Sequence, residues 1–143
     1  MYTQEELSKM KDGIRFCKQV GVQGIVFGIL DEKNKLDYQQ IKMLAELASP
    51  LEVTIHKAID QTVDPIASLK RLLSIENITS VLTSGGASTA TEGKEVIKKM
   101  LRVSQGKINI IAAGRITNHK LAEIHNLIGA QEYHGRKILG SLH

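Results

Sequence analysis

The sequence predicts an α/β fold on about five parallel strands, and three observations predict it. Short apolar runs recur at 22–28, 53–56, 79–83, 108–112 and 131–134, their starts 31, 26, 29 and 23 residues apart. Segments with apolar residues every three or four positions separate them, the strand–helix alternation of a parallel sheet. Polar residues and glycines crowd the C-terminal ends of the runs, where parallel sheets bind their ligands. Two architectures share these features: a partial (β/α)8 TIM barrel, and an open doubly wound parallel sheet. Periodicity alone does not choose between them.

A helix precedes the first strand. Thr3-Gln4-Glu5-Glu6 forms a capping box, in which the threonine accepts from the first turn and Glu6 reaches back. Leu7, Met10, Ile14 and Cys17 then mark one helical face, and Gly21 ends it. The first strand is Val22–Gly28. Asp37 caps a second helix carrying Ile41, Leu44, Ala45 and Ala48, and Pro50 prevents its continuation. The second strand, Val53–His56, runs into a loop that ends at Asp64-Pro65. That pair is an N-cap followed by proline at the first helical position, where the missing N–H costs nothing. Ile66, Leu69, Leu72 and Leu73 form the inner face of this third helix.

Thr79–Thr83 is the third strand. The fourth helix opens at Ser88 or Thr89, with Glu92 completing a second capping box. Val96, Ile97, Met100 and Leu101 line it, and Gly106 follows its end. Ile108–Ala112 is the fourth strand. The last helix opens near Thr117-Asn118 and carries Leu121, Ile124, Leu127 and Ile128, before a final strand at Gln131–His134. No linker or low-complexity run divides the chain, so one domain is expected over residues 1–143.

Composition narrows the function. A chain of 143 residues can bury a real core. Its net charge of +4 is mild, its basic residues are interspersed with acidic ones, and aromatics make up 3%. A nucleic-acid surface would show a dense basic patch or stacking aromatics, so none is expected. Cys17 is the single cysteine, which excludes an internal disulfide and fits a reducing compartment. No run of about 18 apolar residues offers a membrane span, and the N-terminus lacks an apolar signal core. A soluble, cytoplasmic protein is expected.

The strand ends carry the chemistry. Alternation puts Val53 and Ile55 on one face and Thr54 and His56 on the other. Glu132 and His134 share a face in the same way. With the bulky apolar face turned to the helices, His56, Glu132 and His134 converge on a barrel lumen. Two imidazoles and a carboxylate suit a metal or acid–base site. Equally, inward polar side chains hold barrel interiors together. His56, Asp60 and Glu132 are the catalytic candidates. Lys57 at a strand end invites a Schiff-base reading, but it alternates to the helix side, away from His56. Asp60 either fixes its loop or pairs with Lys57.

Thr83-Ser84-Gly85-Gly86 is the second cluster. Glycines after a strand let the backbone turn closely, and a following helix directs N–H groups outward, which makes an anion pocket with the two hydroxyls. The alternative is a glycine-rich turn with a helix cap. A P-loop is excluded because Lys94 lies too far along. Gly114 and Gly135 permit close approach of a ligand, with charge from Arg115 and Arg136.

The stretches "GVQGIVFGIL", "VTIHKAID", "DPIASLKRLL", "VLTSGGASTATEG" and "EYHG" resemble, in this order, the CutC family of copper homeostasis proteins. The resemblance runs from about Tyr2 to Gly135. It implies a (β/α)8 barrel in which the five strands here correspond to strands four to eight, the segment for the first three being absent. It also implies a role in copper homeostasis, and raises copper as the ion for a barrel-mouth site of His56, His134 and Glu132. Copper(I) prefers sulfur, however, and Cys17 lies on the apolar stripe of a helix. Lys57 stands where relatives carry arginine, and Arg115 and the Arg136-Lys137-Ile138 run depart from the pattern. A partial barrel bares two strand edges and its inward faces, so a homo-oligomer is expected. Two other functions fit the sequence: a TIM-barrel enzyme acting on a small anionic metabolite, phosphorylated or carboxylated, and a truncated remnant without activity of its own.

Overall fold

A computed structural model describes residues 3–117, 120–130 and 132–134, with the backbone alone for Lys57 and for 132–134. The elements in chain order are α1 (Gln4–Val20), β1 (Gly24–Phe27), α2 (Tyr38–Ala48), β2 (Glu52–Ile55), a short 3-10 helix (Lys57–Gln61), α3 (Pro65–Leu72), β3 (Ile78–Thr83), α4 (Lys94–Ser104), β4 (Asn109–Ala113), α5 (Leu121–Ile128) and β5 (Glu132–His134).

Local chemistry sets most of these boundaries. Thr3 and Glu6 exchange both bonds of the capping box at the start of α1, and Gly21 ends that helix in the left-handed conformation at φ 79°. Asp37 accepts from Gln40 N–H to open α2. Asp64 accepts from Ile66 and Ala67 N–H, with Pro65 at the first helical position of α3. Two helix starts differ from expectation. Residue Thr89 does accept from Glu92 N–H at 3.1 Å, but as a turn, and α4 begins only at Lys94 after Gly93. Likewise α5 begins at Leu121, later than Thr117.

The five strands pair in parallel in the order β1-β2-β3-β4-β5. A doubly wound sheet reverses its strand order at a switch point, and its helices cover both faces. Here the order is sequential. On each of β2, β3 and β4 one set of side chains enters the helix-packed core: Val53 and Ile55, Val81, and Ile110 and Ala112. These pack with Ile41, Leu44, Leu69, Leu72, Ile97 and Met100 from the helices. Sequential parallel strands with helices on one side are a segment of a (β/α)8 barrel, which settles the choice the sequence left open.

No described element covers the other face. Val26 on β1 is 62% exposed, and Thr54 on β2 and Ser80 on β3 are half-buried. Register places Val26, Thr54, Ser80 and Asn109 side by side across the first four strands. On α1, Leu7 and Ile14 are buried while Phe16 is 62% and Val20 57% exposed. That leaves apolar surface at the β1 end of the sheet. Among the described residues no helix is long and apolar enough to cross a membrane.

Candidate functional site

The site is built where β2 and β3 run out. His56 follows the last residue of β2 and caps the short 3-10 helix. Its backbone N–H donates to Phe27 O at 3.2 Å, which carries the sheet pairing one residue past the strand. Alternation from Val53 and Ile55 places its side chain on the uncovered face, as the sequence predicts. The ring is half-buried, and its Nδ1 accepts from Ala58 N–H at 3.0 Å. Burial, the larger effect, holds its pKa below the usual 6.5 against its own backbone hydrogen bond. Gly28 supplies the space: a Cβ there would lie 3.1 Å from Cε1 and 3.2 Å from Nδ1 of the ring. Nothing in the local sequence pattern marks Gly28 for this task; only the ring packed over it does.

Asp60 sits four residues on and turns to the loop after β3. Its Oδ1 accepts from Thr83 Oγ1 at 2.5 Å and Gly86 N–H at 3.0 Å. Its Oδ2 accepts from Ser84 N–H at 2.9 Å and lies 3.0 Å from Ser84 Oγ. Thr83 Oγ1 in turn accepts from Gly85 N–H at 2.9 Å. Ser84 Oγ also lies 2.5 Å from Ala87 O, and its single proton serves one of these two acceptors. The donors expected to form an anion pocket therefore surround a carboxylate of the chain itself. Thr83 and Ser84 are fully buried, and Thr83 lies on the helix side of the sheet against Met100.

Three glycine backbones stack to make this loop. Gly85 has φ +74°, and a Cβ on it would fall 2.3 Å from Gly93 O. A Cβ on Gly93 would fall 1.8 Å from Ser84 O. Gly114, at φ +113°, accepts from Ala90 N–H through its carbonyl at 3.0 Å, and a Cβ on it would crowd Ala90 N and Ser84 Cβ. Of the glycines expected to admit a ligand, Gly85 and Gly114 thus lie against neighbouring backbone and side chain. Gly93 was not singled out in the sequence, although its spacing after the glycine pair is the signal that could have found it. Arg115 is exposed.

The metal set is only partly described. His56 follows β2 and His134 ends β5, with two strands between them. At about 4.8 Å per strand they stand roughly 14 Å apart along the sheet, so a shared ion is reached across the mouth of the arc. Register sets Glu132 beside Ile111 and His134 beside Ala113. The side chains of Glu132, His134 and Lys57, and residues Gly135 and Arg136, lie outside the described residues. Among the described residues no three His, Cys, Asp or Glu gather as a metal site. The donor chemistry of His56 does not fit one either. A neutral imidazole has one bare nitrogen, and Ala58 N–H already occupies it. Cys17 is a free, half-buried thiol on α1, on the helix layer rather than at a strand end. A cleft of about 260 Å³ lies elsewhere, on the outer surface, lined by Lys42, Glu46, Ser74, Ile75 and Glu76.

Comparison with known proteins places this geometry in a family. The model of the CutC family matches residues 1–139. The human copper homeostasis protein cutC homolog is 38% identical over 134 residues, 94% of this chain and 49% of the relative. A family protein CutC from Parabacteroides distasonis is 33% identical over 134 residues, 94% of this chain and 55% of the relative. The chain thus spans about half the length of the curated relatives it matches. A crystal structure of a CutC protein from Streptococcus agalactiae superposes with a TM-score of 0.89 at 25% identity, covering 96% of this chain and 67% of that one. By sequence and by fold, the chain belongs to the CutC family.

Proposed function

We propose that this chain serves copper homeostasis, the role for which its human relative is named. The observation that carries the reading is the family match over residues 1–139. Copper would be the cargo of this role, bound at the barrel mouth. Of the three nominated ligands, His134 and Glu132 are retained, whereas His56 has spent its bare nitrogen on Ala58 N–H. Titration with copper(I) under reducing conditions tests this. Stoichiometric binding is expected in the wild type, lost in His134→Ala and kept in His56→Ala. A wild type that binds no copper ends the direct-binding reading. A cytoplasmic location suits the single thiol and copper(I) under reducing conditions.

A second reading is favoured by a specific observation. The Nε2 side of His56 has no hydrogen-bond partner among the described residues and lies on the uncovered face, which supports a site for a small carboxylated or phosphorylated metabolite. Self-association accompanies either reading. Phe16, Val20 and Val26 leave apolar surface at the β1 end, and a second copy is the proposed cover. Size-exclusion with light scattering is expected to show a dimer or larger species that Val26→Lys shifts toward monomer. A stable, dilute wild-type monomer counts against it.

A further inference from the structure

Three features hold the His56 ring in one pose. Its backbone N–H is tied to Phe27 O, its Nδ1 accepts from Ala58 N–H at 3.0 Å, and it lies over Gly28, where a Cβ would come within 3.1 Å. The same features fix its tautomer. A neutral imidazole carries one N–H and one bare nitrogen. Ala58 N–H faces Nδ1, so Nδ1 is bare and the proton resides on Nε2. Protonating Nδ1 would set one N–H against another inside a half-buried pocket, and burial already disfavours the charged ring. The other nitrogen, without a partner among the described residues, is thus an N–H that can donate and cannot ligate.

Among the described side chains, those beside His56 on that face are uncharged. One pleat below His56 the register row holds Val26, Thr54, Ser80 and Asn109, and the level of His56 itself continues through Leu82 and Ile111 to the backbone of Glu132. No cation among them would anchor a phosphate. A fixed N–H dipole is matched instead to a single oxygen with a lone pair directed at it. In (β/α)8 isomerase chemistry a histidine whose inner nitrogen is held by a helix N-terminus stays neutral and polarises a carbonyl in this way. We propose that His56 presents Nε2–H to a carbonyl or carboxylate oxygen of a small ligand at the barrel mouth, as an electrophilic, specificity-determining donor. The inference rests on the second reading above and names the ligand chemistry of that site.

The experiment uses the chain labelled with nitrogen-15 histidine and reads both ring nitrogens by NMR at pH 7, with pyruvate, inorganic phosphate and copper(I) as separate probes. His56 is expected as the Nε2–H tautomer. Pyruvate is expected to move the Nε2 resonance and leave Nδ1 in place, while phosphate and copper(I) leave both unmoved. His56→Gln, which keeps an N–H of similar reach, should hold pyruvate within about threefold of wild type, and His56→Phe should weaken it about tenfold, the worth of one hydrogen bond. An Nδ1–H tautomer, or copper(I) bound at Nε2, overturns the inference. Silence with pyruvate overturns it too. A phosphate response would then preserve the small-metabolite site and remove only the assigned chemistry, whereas silence with both probes removes the site as well.

Discussion

His56 and Asp60 are four residues apart on one connection, yet they spend their polar groups in opposite ways. Asp60 directs both oxygens into the protein, onto Thr83, Ser84 and Gly86. His56 uses one nitrogen internally and leaves the other without a partner among the described residues. A buried polar group that is fully satisfied stabilises the fold and has nothing left with which to recognise a ligand. A group held rigidly by one atom and free at the other is arranged for recognition. The contrast supports a structural role for Asp60 and is the ground on which binding is proposed for His56, although both looked like chemistry in the sequence.

The largest test of that assignment is Asp60→Ala. It leaves the N–H groups of Ser84 and Gly86 and the Thr83 hydroxyl without their acceptor at a loop whose first two residues are fully buried. Each unsatisfied donor costs about 1–3 kcal/mol, and partial relaxation brings the expected total to about 3 kcal/mol in urea unfolding. Asp60→Asn keeps one acceptor oxygen and should lose about half as much. If Asp60→Ala unfolds like the wild type, the carboxylate is not holding the loop and its place as a catalytic candidate reopens.

Gly93→Ala acts on the same loop from the far side. The new methyl would meet Ser84 O, so the stacked backbones must part. Overpacking of this kind costs about 2 kcal/mol. Circular dichroism on melting should show the loss, with Gly13→Ala in α1 as the control, since a Cβ there meets nothing within 4 Å. Equal stability of the two variants would mean that the loop can open freely, and the Asp60 clasp would then be slack.

The elements read well from sequence wherever the cause is local. Thr3, Asp37 and Asp64 cap helices with donors two or three residues away, so their patterns suffice. Alternation likewise puts His56 on the face of Thr54, opposite the fully buried Val53 and Ile55. Where the cause is distant the pattern misleads. Thr89-x-x-Glu92 has the form of a capping box, but the packing of Gly93 on Ser84 and Gly85 bends the chain and delays α4 to Lys94. The partners of Asp60 lie 23 to 26 residues away, across a crossover that no local signal spans. Free N–H groups after a glycine pair imply an anion, and the anion is there; that the chain provides it is tertiary information.

The smallest effect tests His56 through pH. Its folded pKa lies below the 6.5 of the free side chain, with burial the main cause. The unfolded chain therefore binds this proton more readily than the folded one. Stability linked to His56 is complete above pH 6.5 and is lost as pH falls from there through the folded value. The wild type should lose stability on acidification from pH 7 toward pH 5 more steeply than His56→Gln, which has no proton to take up. The two proteins differ only at this side chain, so the difference between the two curves isolates the one ring. Superimposable curves would show that the ring accepts a proton at no cost. The Ala58 N–H would then not be directed at a bare nitrogen, and with it would go both the objection to copper at His56 and the donor role assigned to Nε2.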